Sequence, residues 1–176
     1  MKKLIASIIL IGIIILIGII AVFIQIKYFS HDSCYEGTVV PVFSPYNSEE
    51  IFNLIKNAKN EIKLEVYEFS SNQLADALID ARQRGVSVDV ILEPSVYQNN
   101  NIFNKLINNG IYVNWALKKF HNTHSKFAII DDNIVFVGSM NWSENALKNN
   151  REASVIIYSQ KLSEEFEKIF DADFAD

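Results

Sequence analysis

Between residues 38 and 176 the chain alternates segments in which every second residue is apolar with segments that are apolar every third or fourth residue. The first period predicts strands and the second predicts helices. Strands are predicted at Thr38–Phe43, Glu61–Phe69, Val86–Leu92, Ile111–Trp115, Phe127–Ile130, Ile134–Val137 and Glu152–Tyr158. Helices are predicted after a cap at Asn47 or Ser48, after a cap at Ser71 or Asn72, and at Asn101–Asn108, Trp142–Leu147 and Ser163–Phe170. This order predicts an α/β fold in which helices flank a mixed β-sheet.

The first residues have a different pattern, because Leu4–Ile26 is almost continuously apolar. A helix of this length exceeds a hydrocarbon core of about 30 Å. We therefore expect an N-terminal transmembrane signal anchor at residues 1–28, a linker at 29–37 and a catalytic domain at 38–176. Lys2 and Lys3 favour a cytoplasmic N-terminus and an extracytoplasmic domain. A cleaved signal followed by secretion is the alternative.

Polar residues lie at the beginning and at the end of the segment His124–Asn141, which is predicted to form a hairpin. His124 and Lys126 are two residues apart, which places both side chains on one face of a strand. A tight turn at 131–133 returns the chain to Ser139 and Asn141. An imidazole, an ammonium, a hydroxyl and an amide then meet at one end of the hairpin, where they form a plausible receptor for a phosphate.

The same stretch resembles the HKD signature of the phospholipase D superfamily. The matching positions are His124, Lys126, Asp131, Gly138, Ser139 and Asn141. The chain is similar to the single-motif endonuclease branch, and also to the mitochondrial cardiolipin hydrolases. Val66–Glu93 looks like the strand–helix–strand half of this superfamily, so the resemblance covers about Val39 to Ile157.

The resemblance implies a metal-independent cleavage of phosphodiesters that needs no cofactor. His124 is the expected nucleophile and forms a phosphohistidine. Lys126, Asn141 and Ser139 are expected to hold the non-bridging oxygens as charge develops. Glu152 is the candidate partner of the second imidazole nitrogen, since members of the nuclease branch carry a glutamate at this place; the alternative is an ordinary surface residue.

Two further motif positions are expected to serve the structure. Asp131 ends a strand before the turn, where an aspartate commonly bonds backbone. Gly138 is expected to let the backbone approach a ligand closely. Because the reaction also needs an acid for the leaving oxygen, one motif per chain implies a homodimer with two motifs facing each other.

Charge and composition leave the substrate open. Residues 28–176 carry 13 basic and 21 acidic side chains, or −8, which disfavours nucleic-acid binding driven by bulk charge. The acidic domain and the anchor favour a phospholipid, whereas the absence of a long apolar insertion favours nucleic acid. We take a non-specific endonuclease as the leading hypothesis, a lipid hydrolase as the alternative, and an inactive scaffold or nucleic-acid-binding module as a third class. Cys34 is the sole cysteine, so no internal disulfide is possible.

Overall fold

The computed structural model describes residues 12–13, 15–20 and 35–175. The chain divides into two compact units, Met1–Cys34 and Tyr35–Asp176. In the first unit, residues 12–13 and 15–20 are helical. Among the described residues no helix is both long and apolar enough to cross a membrane. Most of the expected anchor at Leu4–Ile26, most of the expected linker at 29–37 and Cys34 lie outside the described residues.

Seven strands of the second unit form one sheet in the order β1-β7-β6-β5-β2-β3-β4. They are β1 (Thr38–Phe43), β2 (Glu61–Val66), β3 (Ser87–Leu92), β4 (Tyr112–Trp115), β5 (Lys126–Ile130), β6 (Ile134–Gly138) and β7 (Ala153–Tyr158). The pairs β2–β3 and β3–β4 are parallel, and the other four pairs are antiparallel. The sheet is therefore mixed, as the sequence predicts.

Helices cover both faces of this sheet. They are α1 (Glu50–Asn57), α2 (Asn72–Gln83), α3 (Asn99–Asn108), α4 (Glu144–Lys148) and α5 (Gln160–Phe174). Apolar residues of α1 to α4 share one large core with alternate residues of β2 such as Ile62 and Leu64. On the opposite face, Phe170 of α5 packs with Phe127 and Ile129 of β5. Burial on both faces explains why all five residues of β5 are buried.

The predicted hairpin is formed by β5 and β6, in which Phe127 pairs with Val137. Asp131 and Asp132 adopt positive φ angles of 53° and 54°, and the Asn133 N–H donates to the Ile130 carbonyl at 3.3 Å. Two consecutive left-handed residues form a type I′ turn, whose twist matches that of the strands. The turn therefore brings the start of β5 and the end of β6 to the same edge of the sheet.

The predicted N-cap is confirmed for α2 and wrong for α1. Ser71 caps α2 and accepts a hydrogen bond from Leu74 N at 3.4 Å, as predicted. For α1, neither Asn47 nor Ser48 is the cap. The Asn47 side chain accepts from Phe43 N, and the Ser48 hydroxyl donates to the Leu147 carbonyl. Both side chains bind backbone outside α1, so the helix begins at Glu50 without a side-chain cap.

Candidate active site

His124 and Lys126 are in direct contact at the start of β5. The Lys126 ammonium lies 3.2 Å from Nδ1 of His124 and donates to the His124 carbonyl oxygen at 2.7 Å. An ammonium can only donate, so this contact uses the Nδ1 lone pair and places the proton of a neutral imidazole on Nε2. His124 is exposed, whereas Lys126 is buried with 6% of its surface accessible. The exposed ring can therefore meet a ligand that the buried ammonium also reaches.

A pocket of about 850 Å³ brings this pair together with the end of β6. His124, Lys126, Gly138 and Ser139 all line it. Its remaining wall is largely apolar and comes from strands β2, β5 and β6 and from α5. The hairpin therefore collects three of the predicted polar groups, an imidazole, an ammonium and a hydroxyl, around one space.

Ser139 connects this pocket to Glu152, the residue that precedes β7. The Ser139 hydroxyl donates to Glu152 Oε2 at 2.5 Å and accepts from Ala153 N at 3.1 Å. The second carboxylate oxygen of Glu152 accepts from Asn150 Nδ2 at 3.0 Å. Both oxygens of Glu152 thus have partners within the chain, and neither partner is His124.

The expected contact between Glu152 and the imidazole is therefore not made in this chain. Ser139 is two residues before the candidate Asn141 and lies between β6 and β7. The physical reason is that its hydroxyl occupies the carboxylate that was expected to bind the imidazole. The backbone N–H of Glu152 is also fixed, because it donates to the Ser44 hydroxyl at 3.0 Å. Glu152 instead acts on Lys126 through its charge, as described below.

Asn141 lies just beyond β6 and does not line the same pocket as His124. Its Oδ1 atom is buried and has no hydrogen-bond partner. A buried amide oxygen without a partner costs free energy, so such atoms are rare in native proteins and call for an explanation. The predicted contact of Asn141 with a phosphate remains a prediction.

Two motif positions are explained by contacts within the fold. The Asp131 carboxylate accepts hydrogen bonds from the N–H groups of Lys59, Asn60 and Glu61 at 2.7 to 3.1 Å. The expected backbone contact is present, but its partners are about 70 residues away in the sequence. At Gly138, a Cβ atom would come within 2.5 Å of the backbone of β7. The close packing of the neighbouring strand thus requires the glycine, whereas the sequence suggested that the glycine lets the backbone approach a ligand.

Burial lowers the pKa of the Lys126 ammonium from its ordinary value, because the surroundings disfavour the charged form. The carboxylates of Glu152 and Glu68 oppose this effect and raise the pKa. These two acids therefore favour the charged form of the buried ammonium and offset part of the effect of burial. A desolvated cation of this kind interacts strongly with a phosphate oxygen.

The sequence does not single out two residues of β2 and its extension that contribute to the site. The Tyr67 ring lies 4.3 Å from the His124 ring, and the Lys126 ammonium lies 5.1 Å from the Tyr67 ring centroid. Glu65 lines the pocket, is 4% exposed and accepts a hydrogen bond from Ser125. Their spacing of two places them on one face, but only the pairing of Glu65 with Phe127 brings that face to the pocket.

Three carboxylates could hold a metal ion at the far end of the hairpin. One oxygen from each of Glu61, Asp132 and Glu167 lies within 4.8 Å of the others. This acidic cluster is separated from His124 by the length of β5, roughly 17 Å for a five-residue strand. The Lys63 ammonium already pairs with Glu167 and lies 3.8 Å from Glu61, so a cation occupies this environment.

Comparison with known proteins places this arrangement in a family. Residues 51–174 match the family model described as "Cardiolipin synthase, PLD-like domain". The mitochondrial cardiolipin hydrolase of Mus musculus is 32% identical over 139 residues, which are 74% of this chain and 62% of the mouse protein. The phospholipase D of Rickettsia prowazekii (strain Madrid E) is 30% identical over 151 residues, or 81% of this chain and 70% of that protein. The chain thus spans less than two thirds of the mouse relative.

A solved structure shows the same fold. The phospholipase D family member Nuc from Salmonella typhimurium superimposes with a TM-score of 0.73 at 27% identity, covering 80% of this chain and 95% of Nuc. The match of the family model includes β2 to β7 and therefore the whole pocket around His124. The chain belongs to the phospholipase D-like family, a family of phosphodiester hydrolases.

Proposed function

We propose that the chain is a metal-independent phosphodiesterase that uses His124 as its nucleophile and acts as a non-specific endonuclease. The contact of 3.2 Å between the His124 imidazole and the Lys126 ammonium in one pocket carries this proposal. An exposed nucleophile beside a buried cation is what an in-line attack on a phosphodiester requires. The cation holds a non-bridging oxygen while the imidazole faces phosphorus.

In the first step a ring nitrogen of His124 forms a bond to phosphorus, and the bond to the leaving oxygen breaks. Lys126, with Ser139 and Asn141, stabilises the charge on the non-bridging oxygens. Binding of a phosphate oxygen draws the Lys126 ammonium from Nδ1, which releases that lone pair. In the second step water attacks phosphorus, the bond to the His124 nitrogen breaks and the imidazole is regenerated, while the proton that the water loses passes to the group that protonated the leaving oxygen.

The leaving oxygen needs a proton, and we propose that His124 of a second protomer supplies it. In the described part of the chain, 35–175, no other histidine lines the pocket. A homodimer that places two such pockets face to face would provide the missing acid. We also propose that Leu4–Ile26 anchors the protein in a membrane, with the catalytic domain on the extracytoplasmic side.

A lipid phosphodiester is the second candidate substrate. The observation that favours it is the apolar wall of the pocket, which Phe127, Val137, Phe166 and Ile169 form beside His124. This surface can accept an acyl chain while the phosphate lies at Lys126. The names of the mouse and Rickettsia relatives agree with this alternative.

The decisive experiment incubates the full-length protein in detergent with single- and double-stranded DNA, RNA and cardiolipin vesicles in excess EDTA. The His124→Asn variant is compared with His121→Asn, an exposed histidine outside the pocket. Nucleic-acid cleavage that His124→Asn loses and His121→Asn retains supports the endonuclease. Cleavage of cardiolipin alone moves the assignment to a lipid hydrolase. Full activity in His124→Asn would contradict the proposed nucleophile.

The dimer is tested separately by light scattering and by subunit mixing. The wild-type protein is mixed with an excess of His124→Asn so that most wild-type chains pair with the variant. If each active unit needs two His124 side chains, activity per wild-type chain falls as the variant is added. An activity that is unaffected by mixing, or that belongs to a monomer, contradicts the shared site.

A further inference from the structure

Two exposed aromatic side chains and an arginine form a cluster at the end of β1. Phe43 is 44% exposed and Tyr46 is 75% exposed. The Arg151 guanidinium carbon lies 4.6 Å from the Tyr46 ring centroid and 6.0 Å from that of Phe43. We call these three residues the aromatic–arginine cluster. Large aromatic groups gathered on a surface usually mark an interaction site.

The cluster adjoins the candidate active site. Its three residues line a second cavity of about 530 Å³ together with Ser139, Glu152 and Ala153. Ser139 also lines the pocket that contains His124 and Lys126. A chain molecule whose phosphate lies at Lys126 can therefore continue past Ser139 onto the aromatic–arginine cluster.

The loop that carries the cluster is held by hydrogen bonds. Asn47 accepts from Phe43 N at 2.8 Å and donates to the Pro41 carbonyl at 3.1 Å. The Ser44 hydroxyl donates to the Asn150 carbonyl at 2.7 Å. Arg151 Nη1 donates to the Ser44 carbonyl at 3.4 Å. The rings are thus presented in a preorganised arrangement, which lowers the entropic cost of binding a ligand.

The charge of Arg151 indicates the kind of ligand. Within residues 35–175 Arg151 forms no salt bridge, unlike Lys63, Lys105, Lys119, Lys148 and Lys168. An unpaired guanidinium in an acidic domain attracts an anion, and guanidinium planes and aromatic rings both stack on nucleobases. Alternating phosphates and flat bases satisfy both features of the cluster.

We propose that the aromatic–arginine cluster is a base-stacking subsite for single-stranded nucleic acid next to the scissile phosphate. This inference rests on the proposed endonuclease and names a substrate feature that the enzyme recognises. A base stacks on Tyr46 and Phe43, while Arg151 attracts the adjacent phosphate. Stacking is sequence-tolerant, because every base has a π-face, so the subsite is compatible with a non-specific enzyme.

The test compares two oligonucleotides of equal length and charge, one of thymidine and one of abasic residues. Fluorescence anisotropy measures their dissociation constants for full-length His124→Ala, which traps uncleaved substrate. We expect the thymidine strand to bind roughly 5- to 150-fold more tightly. Adding Tyr46→Ala should reduce this ratio to near one. Adding Tyr112→Ala should leave it unchanged, since Tyr112 is 63% exposed but lies in β4 at the opposite edge of the sheet.

The outcomes distinguish a failure of the subsite alone from a failure of the endonuclease. If wild-type protein cleaves the thymidine strand but Tyr46→Ala keeps the full preference for bases, the subsite is wrong and the endonuclease stands. If Tyr46→Ala weakens binding to cardiolipin vesicles and leaves oligonucleotide binding unchanged, the cluster contacts lipid and the proposal is overturned. If no nucleic acid is cleaved, both proposals are contradicted. Arg151→Met provides a second variant, which should weaken binding of both strands and reduce its salt dependence.

Discussion

The Ser139 hydroxyl donates a hydrogen bond of 2.5 Å to the Glu152 carboxylate and thereby joins the residue that follows β6 to the residue that precedes β7. The charge of Glu152 is the largest influence that raises the pKa of the Lys126 ammonium against the effect of burial. The carboxylate that Ser139 holds thus opposes the effect of burial on the pKa of Lys126. This relationship makes the pH dependence of activity a sensitive probe of the site.

Glu152→Gln should move the alkaline limb of the activity profile to lower pH. Lys126 must be charged to hold a phosphate oxygen, so activity falls as pH rises through the pKa of the ammonium. Removing the Glu152 charge removes a group that raises this pKa. The measurement is kcat/KM against pH, with Asp80→Asn in α2 as an acid-to-amide control. An alkaline limb that stays in place would show that Lys126 does not set it.

Asp131→Ala should destabilise the protein by about 2–4 kcal/mol, because three backbone N–H groups lose their acceptor and alanine is disfavoured at positive φ. Asp131→Asn should cost less, since asparagine tolerates this backbone conformation and keeps one acceptor oxygen. Urea unfolding measures both. Asn133→Ala, an exposed change in the same turn, should stay within about 0.5 kcal/mol. Equal losses in the Ala and Asn variants would contradict this explanation.

Glu61 should make the protein less stable as pH rises from about 5 to 8. Burial, followed by hydrogen bonding with Asp132, raises the pKa of Glu61 to about 8, from 4.5. Between these two values the folded state keeps a proton that the unfolded state releases, so the free energy of unfolding decreases with pH. Because the side chain is 22% exposed, we expect only about 1–2 kcal/mol.

The corresponding measurement is urea unfolding of wild type and Glu61→Gln at several pH values. The amide cannot ionise, so the variant should gain stability relative to wild type across this range. Glu49→Gln, which changes an exposed carboxyl before α1, is the matched control substitution. A constant difference for Glu61→Gln would mean that Glu61 is ionised in the folded protein at neutral pH.

Ser125 and Glu65 should show strong coupling in a double-mutant cycle. Ser125 donates to Glu65 Oε1, whereas Glu65 Oε2 is buried without a partner. Ser125→Ala alone should cost about 1–3 kcal/mol, because the buried carboxyl loses its remaining partner. Adding Glu65→Leu should recover much of this loss, since both polar groups are then absent. Additive losses in urea unfolding would rule out the coupling.

The strands and most helices were predictable from the sequence because their apolar periods are set by local geometry. The strand at Thr38–Phe43 agrees at both ends, and the buried residues of α1 (Ile51, Leu54 and Ile55) recur at the three- and four-residue spacing from which the helix is predicted. The cap of α1 was not predictable. Ser48 has the right chemistry for a cap, but the carbonyl of Leu147, 99 residues later, is its partner. A local rule cannot anticipate a contact that the tertiary fold creates.

The hairpin shows the same contrast within the candidate site, between contacts that local sequence predicts and contacts that the tertiary fold creates. The spacing of His124 and Lys126 correctly placed an imidazole beside an ammonium, and the turn at 131–133 brought Ser139 to the same pocket. Glu152 was assigned to His124, whereas the structure pairs it with Ser139. His124 and Ser139 are both possible partners of the Glu152 carboxylate, and only the three-dimensional structure decides which of them binds it.

By itself, the sequence determined the mixed α/β sheet and the hairpin that gathers the polar groups, because period and turn chemistry act over a few residues. Tertiary structure alone decided three further features: the position of Tyr67 against His124, the burial that lowers the pKa of Lys126, and the aromatic–arginine cluster around Tyr46. Each of these depends on strands that are distant in the sequence and adjacent in the sheet. Their electrostatic and packing energies exist only after that pairing has formed.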